Sequence, residues 1–173
     1  VEVDDIVSNY GADAARLFIA SDSPPDKDIE WADQGISASN KYLSNLYQFI
    51  SNFALTVNSG SDDYNVSTIE NHSVLQESSM NQDEKDFMRM IHSTIFNVTA
   101  NINANHFNKS IANIRNFSNT LLASANKKIS KGVVLYGVKQ LLILMNPFTP
   151  HITEELWSIL NGSVYSTKND QND

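Results

Sequence analysis

Between Asp33 and Val57 apolar side chains recur in steps of three and four: Ile36, Leu43, Leu46, Ile50, Phe53 and Val57, with Ser39 the one polar member. That spacing lays a single stripe along a 3.6-residue period and predicts a long amphipathic helix, capped by Asp33 and closed by Asn58-Ser59-Gly60-Ser61. From there to about Asn81 the chain is rich in Ser, Asn and Asp and reads as a long loop, with one helical turn near Val74–Ser78. Two further stripes follow. Phe87, Ile91, Ile95, Val98 and Ile102 predict a helix opened by Asp83, and Phe107, Ile111, Ile114, Phe117 and Leu121 predict its neighbour. Lys127–Lys131 reads as a basic turn, and Ser130 as the cap of a helix over Gly132–Met145. That segment is apolar nearly all round, so it should be the most buried element; its β-branched start also suits a strand, and its length decides for a helix. Thr149-Pro150 supplies a cap and a first-turn proline for a last helix, with Ile152, Leu156, Trp157 and Leu160 inward and Glu154 and Glu155 in the first turn. Upstream, Val3–Tyr10 fits a short helix stopped by Gly11, and Asp13–Ala20 a second with Ala14, Leu17 and Phe18 on one face, ended by Ser23-Pro24-Pro25-Asp26.

No strand alternates with these helices and no internal repeat is visible. The pattern predicts an all-α fold, a helical bundle of four or five main helices behind a short N-terminal junction segment. Its expected division is a junction over residues 1–32, the bundle over 33–162 and a polar tail over 163–173. At 173 residues the chain is long enough to bury a real core, and its 41% hydrophobic content is that of a folded globular protein. The absence of cysteine excludes disulfide frameworks, thiolate metal sites and cysteine nucleophiles. The longest strongly apolar run, Leu141–Met145, is far short of the roughly 18 residues a bilayer span needs. The acidic opening, with Glu2, Asp4 and Asp5, is unlike a secretory or transit signal. A cytoplasmic setting is expected, and the start on Val1 rather than Met reads as a piece of something longer.

The formal charge of −8 argues against a nucleic-acid partner only as an average. Residues 1–86 hold 16 acids and 4 bases, residues 154–173 hold 4 acids and one base, and residues 87–153 hold no carboxylate at all. That last stretch carries Arg89, Lys109, Arg115, Lys127, Lys128, Lys131 and Lys139, a local +7. A segment of this kind suits phosphate-backbone contacts, and it equally suits a helix surface solvated by Asn and Ser. Lys127, Lys128 and Lys131 stand at a turn, where lysines can converge on a phosphate.

Signatures of catalysis are missing. No GxxxxGK[ST], GxGxxG or HExxH occurs, and His72, His92, His106 and His151 form no ligand pair. In His151-Ile152-Thr153-Glu154-Glu155 the carboxylates read as partners of a helix dipole rather than as a metal or acid–base set. The aromatics Tyr42, Tyr47, Phe49 and Phe53, on one helix, read as core packing rather than as stacking platforms.

Four collinear blocks carry a resemblance. Tyr10-Gly11-Ala12-Asp13-Ala14-Ala15-Arg16-Leu17-Phe18-Ile19 resembles the segment that follows the KMSKS loop in class I aminoacyl-tRNA synthetases. Ser23-Pro24-Pro25-Asp26-Lys27-Asp28-Ile29-Glu30-Trp31-Ala32-Asp33-Gln34-Gly35 narrows this to the bacterial-type leucyl-tRNA synthetase family. His106-Phe107-Asn108-Lys109-Ser110-Ile111-Ala112 is similar to that family's HFNTAI helix start, and Asn146-Pro147-Phe148-Thr149-Pro150-His151-Ile152-Thr153-Glu154-Glu155-Leu156-Trp157 to its PFAPHxxEELW segment. The likeness covers about residues 1–162.

The resemblance implies a parent enzyme that activates leucine with ATP and magnesium and transfers it to tRNA. It places this chain just after the KMSKS loop, as the junction and the helical anticodon-binding domain. The catalytic motifs and the editing domain would lie elsewhere, so this part is expected to be inactive alone, to bind no cofactor, and to be monomeric. Its expected partners are tRNA and the catalytic domain of the same parent, with no membrane. Gly11, Asp13 and Arg16 are then a helix stop, a helix start and a paired charge; Trp31 packs the junction onto the bundle; Phe148, Pro150 and Trp157 are core and cap. Arg115, Lys127, Lys128 and Lys131 are the expected tRNA phosphate contacts. The equivalent domain of an isoleucyl, valyl or methionyl enzyme, and a helical interaction module without RNA affinity, are the alternatives.

Overall fold

The computed structural model describes residues 2–22, 27–28, 31–58, 77–124 and 128–162. Seven α-helices occupy them: α1 (Val3–Tyr10), α2 (Ala12–Asp22), α3 (Asp33–Asn58), α4 (Gln82–Asn103), α5 (Phe107–Ala123), α6 (Lys131–Met145) and α7 (Pro150–Leu160). One 3-10 turn, Glu77–Ser79, precedes α4, and no strand occurs among the described residues. The expected breaker at 23–26, most of the long loop with the start of its turn at Val74, Lys127 and the polar tail lie outside the described residues.

Helices α4 and α5 form an antiparallel pair, joined by a tight turn in which Asn105 takes φ 57° and His106 N–H donates to Asn101 O at 2.8 Å. Asparagine tolerates this left-handed conformation better than most residues. Helix α6 lies against α4, α5 and α7, and every one of its residues except Lys131, Gln140 and Ile143 is buried. The all-round apolar segment is therefore the central helix, as its pattern predicts. Helix α3 packs on α2 and α7 with Ile36, Ser39, Leu43, Leu46 and Ile50 buried, and Phe53 and Val57 partly so. Helix α2 sets Ala14 and Leu17 into the same core as α3 to α7, and Phe18 beneath the edge of Trp31 with ring centroids 5.3 Å apart. The Trp31 Nε1–H donates to Asp33 Oδ1 at 2.8 Å, which fixes the entry to α3. Helix α1 buries no residue fully and ends at Gly11, whose φ of +83° lets the chain turn into α2 without a Cβ penalty.

Three helix starts differ from the pattern-based expectation. The cap of α4 is Asn81, not Asp83: Asn81 Oδ1 accepts from Glu84 N–H at 3.0 Å while Glu84 Oε2 accepts from Asn81 N–H at 3.0 Å, a reciprocal capping box. The free Oε1 of the same carboxylate accepts from Ser130 N–H at 2.9 Å, so Glu84 holds the start of α6 as well, and Ser130 itself makes no side-chain cap. At α7, Thr149 Oγ1 turns back to Met145 O at 3.3 Å and caps nothing, and Glu154 and Glu155 fall beyond the first turn. The N-terminus of α7 is instead met by a carboxylate from α2, described below.

Burial alone would raise the Glu84 pKa; its hydrogen bonds from Ser130 and Asn81 outweigh that and hold it below the ordinary value. A depressed carboxylate stabilises the fold fully above its unfolded pKa, roughly 4.3, and that contribution is lost as pH falls through the lower folded value. Glu84→Gln should cost about 1–3 kcal/mol at neutral pH and flatten the acid side of the stability curve below about pH 4.3. Urea unfolding followed across pH checks both.

Candidate functional site

The described basic residues of the carboxylate-free stretch do not all converge on one face. Lys139 is buried in α6 with Nζ 5.7 Å from the centroid of the Trp157 ring, a stem and charge covered by the indole. Arg89 pairs with Asp86 on α4. Lys109 is exposed at the start of α5, while Lys128 and Lys131 are exposed at the start of α6, near the opposite end of α5. Asn81 Nδ2 donates to Lys128 O at 2.8 Å, so the lysine turn is anchored to the start of α4 through its backbone and leaves its side chains on the surface. Lys127 lies outside the described residues.

Arg115 stands apart from that turn. Its Nη2 donates to Ser39 Oγ at 3.3 Å and its guanidinium lies 5.1 Å from the centroid of the Tyr42 ring, so it reaches across to α3. Ser118 Oγ donates to Arg115 O at 2.9 Å, which leaves its lone pair to accept from Tyr42 O–H, also at 2.9 Å. Burial raises the Tyr42 pKa, opposed in part by the Ser118 bond and the Arg115 charge. Arg115 Nε is buried without a partner. The side chain is partly exposed, and its immediate work is to clamp α3 to α5.

A second group gathers where α2 meets α7. Asp13, 8% exposed, accepts from Ile152 N–H through Oδ2 at 2.8 Å and so caps α7 from another helix. Its Oδ1 accepts from Arg16 Nη1 at 3.1 Å and from His151 Nδ1 at 2.8 Å. Because a carboxylate only accepts, the imidazole carries its proton on Nδ1 and turns Nε2 away. The His151 side chain is 70% exposed. Gly11, Asp13 and Arg16, read from sequence as helix stop, helix start and paired charge, hold those places; what spacing missed is that the Asp13 carboxylate serves a helix 139 residues on. No local signal could reveal such a partner.

Two concavities flank this group. A cleft of about 590 Å³ lies between the α1–α2 turn, α3 and the start of α7, and an apolar groove of about 470 Å³ runs over Ile19, Ile102, Phe107 and Phe148 with Arg16 at its rim. Among the described residues no three His, Asp or Glu side chains gather as a metal site, and no helix is long and apolar enough to cross a membrane.

Comparison with known proteins supplies the context. Residues 84–172 match the family described as "Anticodon-binding domain of tRNA ligase". The chain is 34% identical over 163 residues to the leucine–tRNA ligase of Ehrlichia canis and 37% identical over 164 residues to that of Rickettsia massiliae. Each alignment takes in 94% of this chain but only 18% and 17% of the relative, so the chain spans under a fifth of the length of these ligases. The LeuRS of a LeuRS–tRNA–LeuAMS ternary complex from Agrobacterium radiobacter K84 superposes with a TM-score of 0.79 at 29% identity, over 92% of this chain and 20% of that one.

Proposed function

Since the chain belongs to the anticodon-binding domain family of tRNA ligases and is homologous to leucine–tRNA ligases, we propose that it is the tRNA-docking helical domain of such a ligase. The observation that carries this is the joint one: collinear identity across 94% of the chain, and the same fold in a LeuRS that was solved with tRNA. In this reading leucine activation with ATP and magnesium, and transfer to tRNA, belong to the remaining four-fifths of a relative's length; this segment supports the RNA and the catalytic domain of the same parent. The protein works as a monomer in the cytoplasm. No residue described here acts in bond making or breaking.

The lysine turn is the proposed phosphate-contacting element. Lys128 and Lys131 are exposed, and Lys127 adjoins them in sequence. The anchoring of their backbone by Asn81 and Glu84 lowers the ordering cost on contact. Arg115, partly exposed on α5, is a secondary contact in the same proposal. Replacing Lys127, Lys128 and Lys131 together by serine should reduce the slope of log affinity for a leucine tRNA transcript against log salt by roughly 2. Fluorescence anisotropy between low and moderate salt measures it. An unchanged slope overturns the lysine assignment; a wild-type chain without salt-sensitive binding overturns the docking role and favours a helical module that acts on protein alone.

A further inference from the structure

We propose that the cleft between α3, the α1–α2 turn and the start of α7 receives an unstacked nucleobase of the bound RNA, with Tyr47 as its stacking platform. The proposal rests on the reading of the chain as a tRNA-docking domain and adds a second contact, of different chemistry, remote from the lysine turn.

Asn40, Ser44, Tyr47 and Gln48 follow one another at helical spacing on α3 and line one wall of the cleft. The stripe that fills the core runs through Leu43, Leu46 and Ile50, and Tyr47 stands off it, 37% exposed. An exposed tyrosine beside a concavity is a ready π-face. The side chains of Asn40 and Gln48 make no hydrogen bond among the described residues, so two amides, each both donor and acceptor, are available to a base edge. The opposite wall is His151. Asp13 holds its ring through Nδ1 at 2.8 Å and leaves Nε2 open, a third polar group of fixed orientation. The cleft's volume of about 590 Å³ lies in the range of small-molecule sites.

Charge decides between base and phosphate. Among the described residues Asp13 is the one carboxylate lining the cleft, already paired with Arg16 and His151, and no lysine or arginine lines it. A phosphate would find a carboxylate and no cationic side chain there, whereas a neutral base needs no counter-charge. Helix α6, at 15 residues, separates the start of α7 from the lysine turn by roughly 22 Å. That is about twice the Debye length at moderate salt, so the two contacts should respond to salt independently.

The test compares wild type, Tyr47→Ala, Tyr47→Phe and the triple lysine variant in binding a leucine tRNA transcript across a salt series. Tyr47 is exposed, so Tyr47→Ala keeps the fold, and matching melting curves verify that. Tyr47→Ala should weaken binding by roughly five- to hundredfold at every salt concentration with the salt slope unchanged, and Tyr47→Phe should bind as wild type. If Tyr47→Ala binds as wild type while the lysine variant loses affinity, the cleft site is overturned and the docking role stands. Should Tyr47→Phe lose as much as Tyr47→Ala, ring stacking is refuted. A wild-type chain that does not bind the transcript overturns both.

Discussion

Replacing Asp13 by alanine is expected to lower the unfolding free energy by about 2–4 kcal/mol, an effect out of proportion to a residue in an eleven-residue helix near the chain start. The carboxylate is 8% exposed and accepts three hydrogen bonds, from Ile152 N–H, His151 Nδ1 and Arg16 Nη1. Two of these donors sit on α7, so the substitution removes a helix cap and cuts the polar link between α2 and α7 in one step. Ile152 N–H would be left partly buried without a partner, which is the costly half of a broken hydrogen bond. Asp13→Asn keeps one acceptor oxygen and should cost less, roughly half as much. His151→Ala should cost little, because its ring is mostly in solvent. Thermal melts and urea titrations of the three variants test the ordering. A loss below about 0.5 kcal/mol for Asp13→Ala would show that Thr149 or water caps α7 equally well.

How legible this was follows from the kind of signal each feature leaves. Helices α3 to α7 declare themselves through periodic burial: Ile36, Leu43, Leu46 and Ile50, or Ile111, Ile114, Phe117 and Leu121, are spaced as they are because one face of each helix must leave water. Gly11 is equally local, since the φ of +83° it adopts is one few other residues accept. Long-range polar partners leave no such trace. Asp13 and Ile152, or Glu84 and Ser130, look like independent helix-end residues until the fold brings them together. That is why Thr149 and Ser130 seemed sufficient caps. Charge counting is blind in the same way: a tally cannot see that Lys139 lies under Trp157 or that Arg115 is turned onto Tyr42. Tyr47 illustrates the opposite error. Grouped with Tyr42, Phe49 and Phe53 it seemed part of the core, yet those three share a face at steps of seven and four, and Tyr47 stands five residues from Tyr42, off that face.

The second large effect concerns the centre of the bundle, where α4, α5 and α6 meet. Phe117 is 1% exposed and faces Phe87 with ring centroids 6.4 Å apart. Phe117→Ala should cost about 3–5 kcal/mol, the range for deleting a ring from a core that cannot fully close around the gap. The packing adds a sharper expectation. A Cβ placed on Gly137 of α6 would lie 3.1 Å from Phe87 Cε1 and 3.2 Å from Leu121 Cδ1, tighter than ordinary contact. Alanine there gains about 1 kcal/mol in helix propensity and loses about 1–3 kcal/mol to overpacking, so Gly137→Ala alone should be neutral to mildly destabilising. With Phe117 truncated, the Phe87 ring can tilt into the vacated space and away from the new methyl. Gly137→Ala should then stabilise the Phe117→Ala protein by up to about 1 kcal/mol, a reversal of sign. A double-mutant cycle by urea unfolding measures the coupling. Additive costs would mean that Phe87 is held by Leu121 and the α4 backbone rather than by Phe117, and that the three-helix contact yields as a rigid unit.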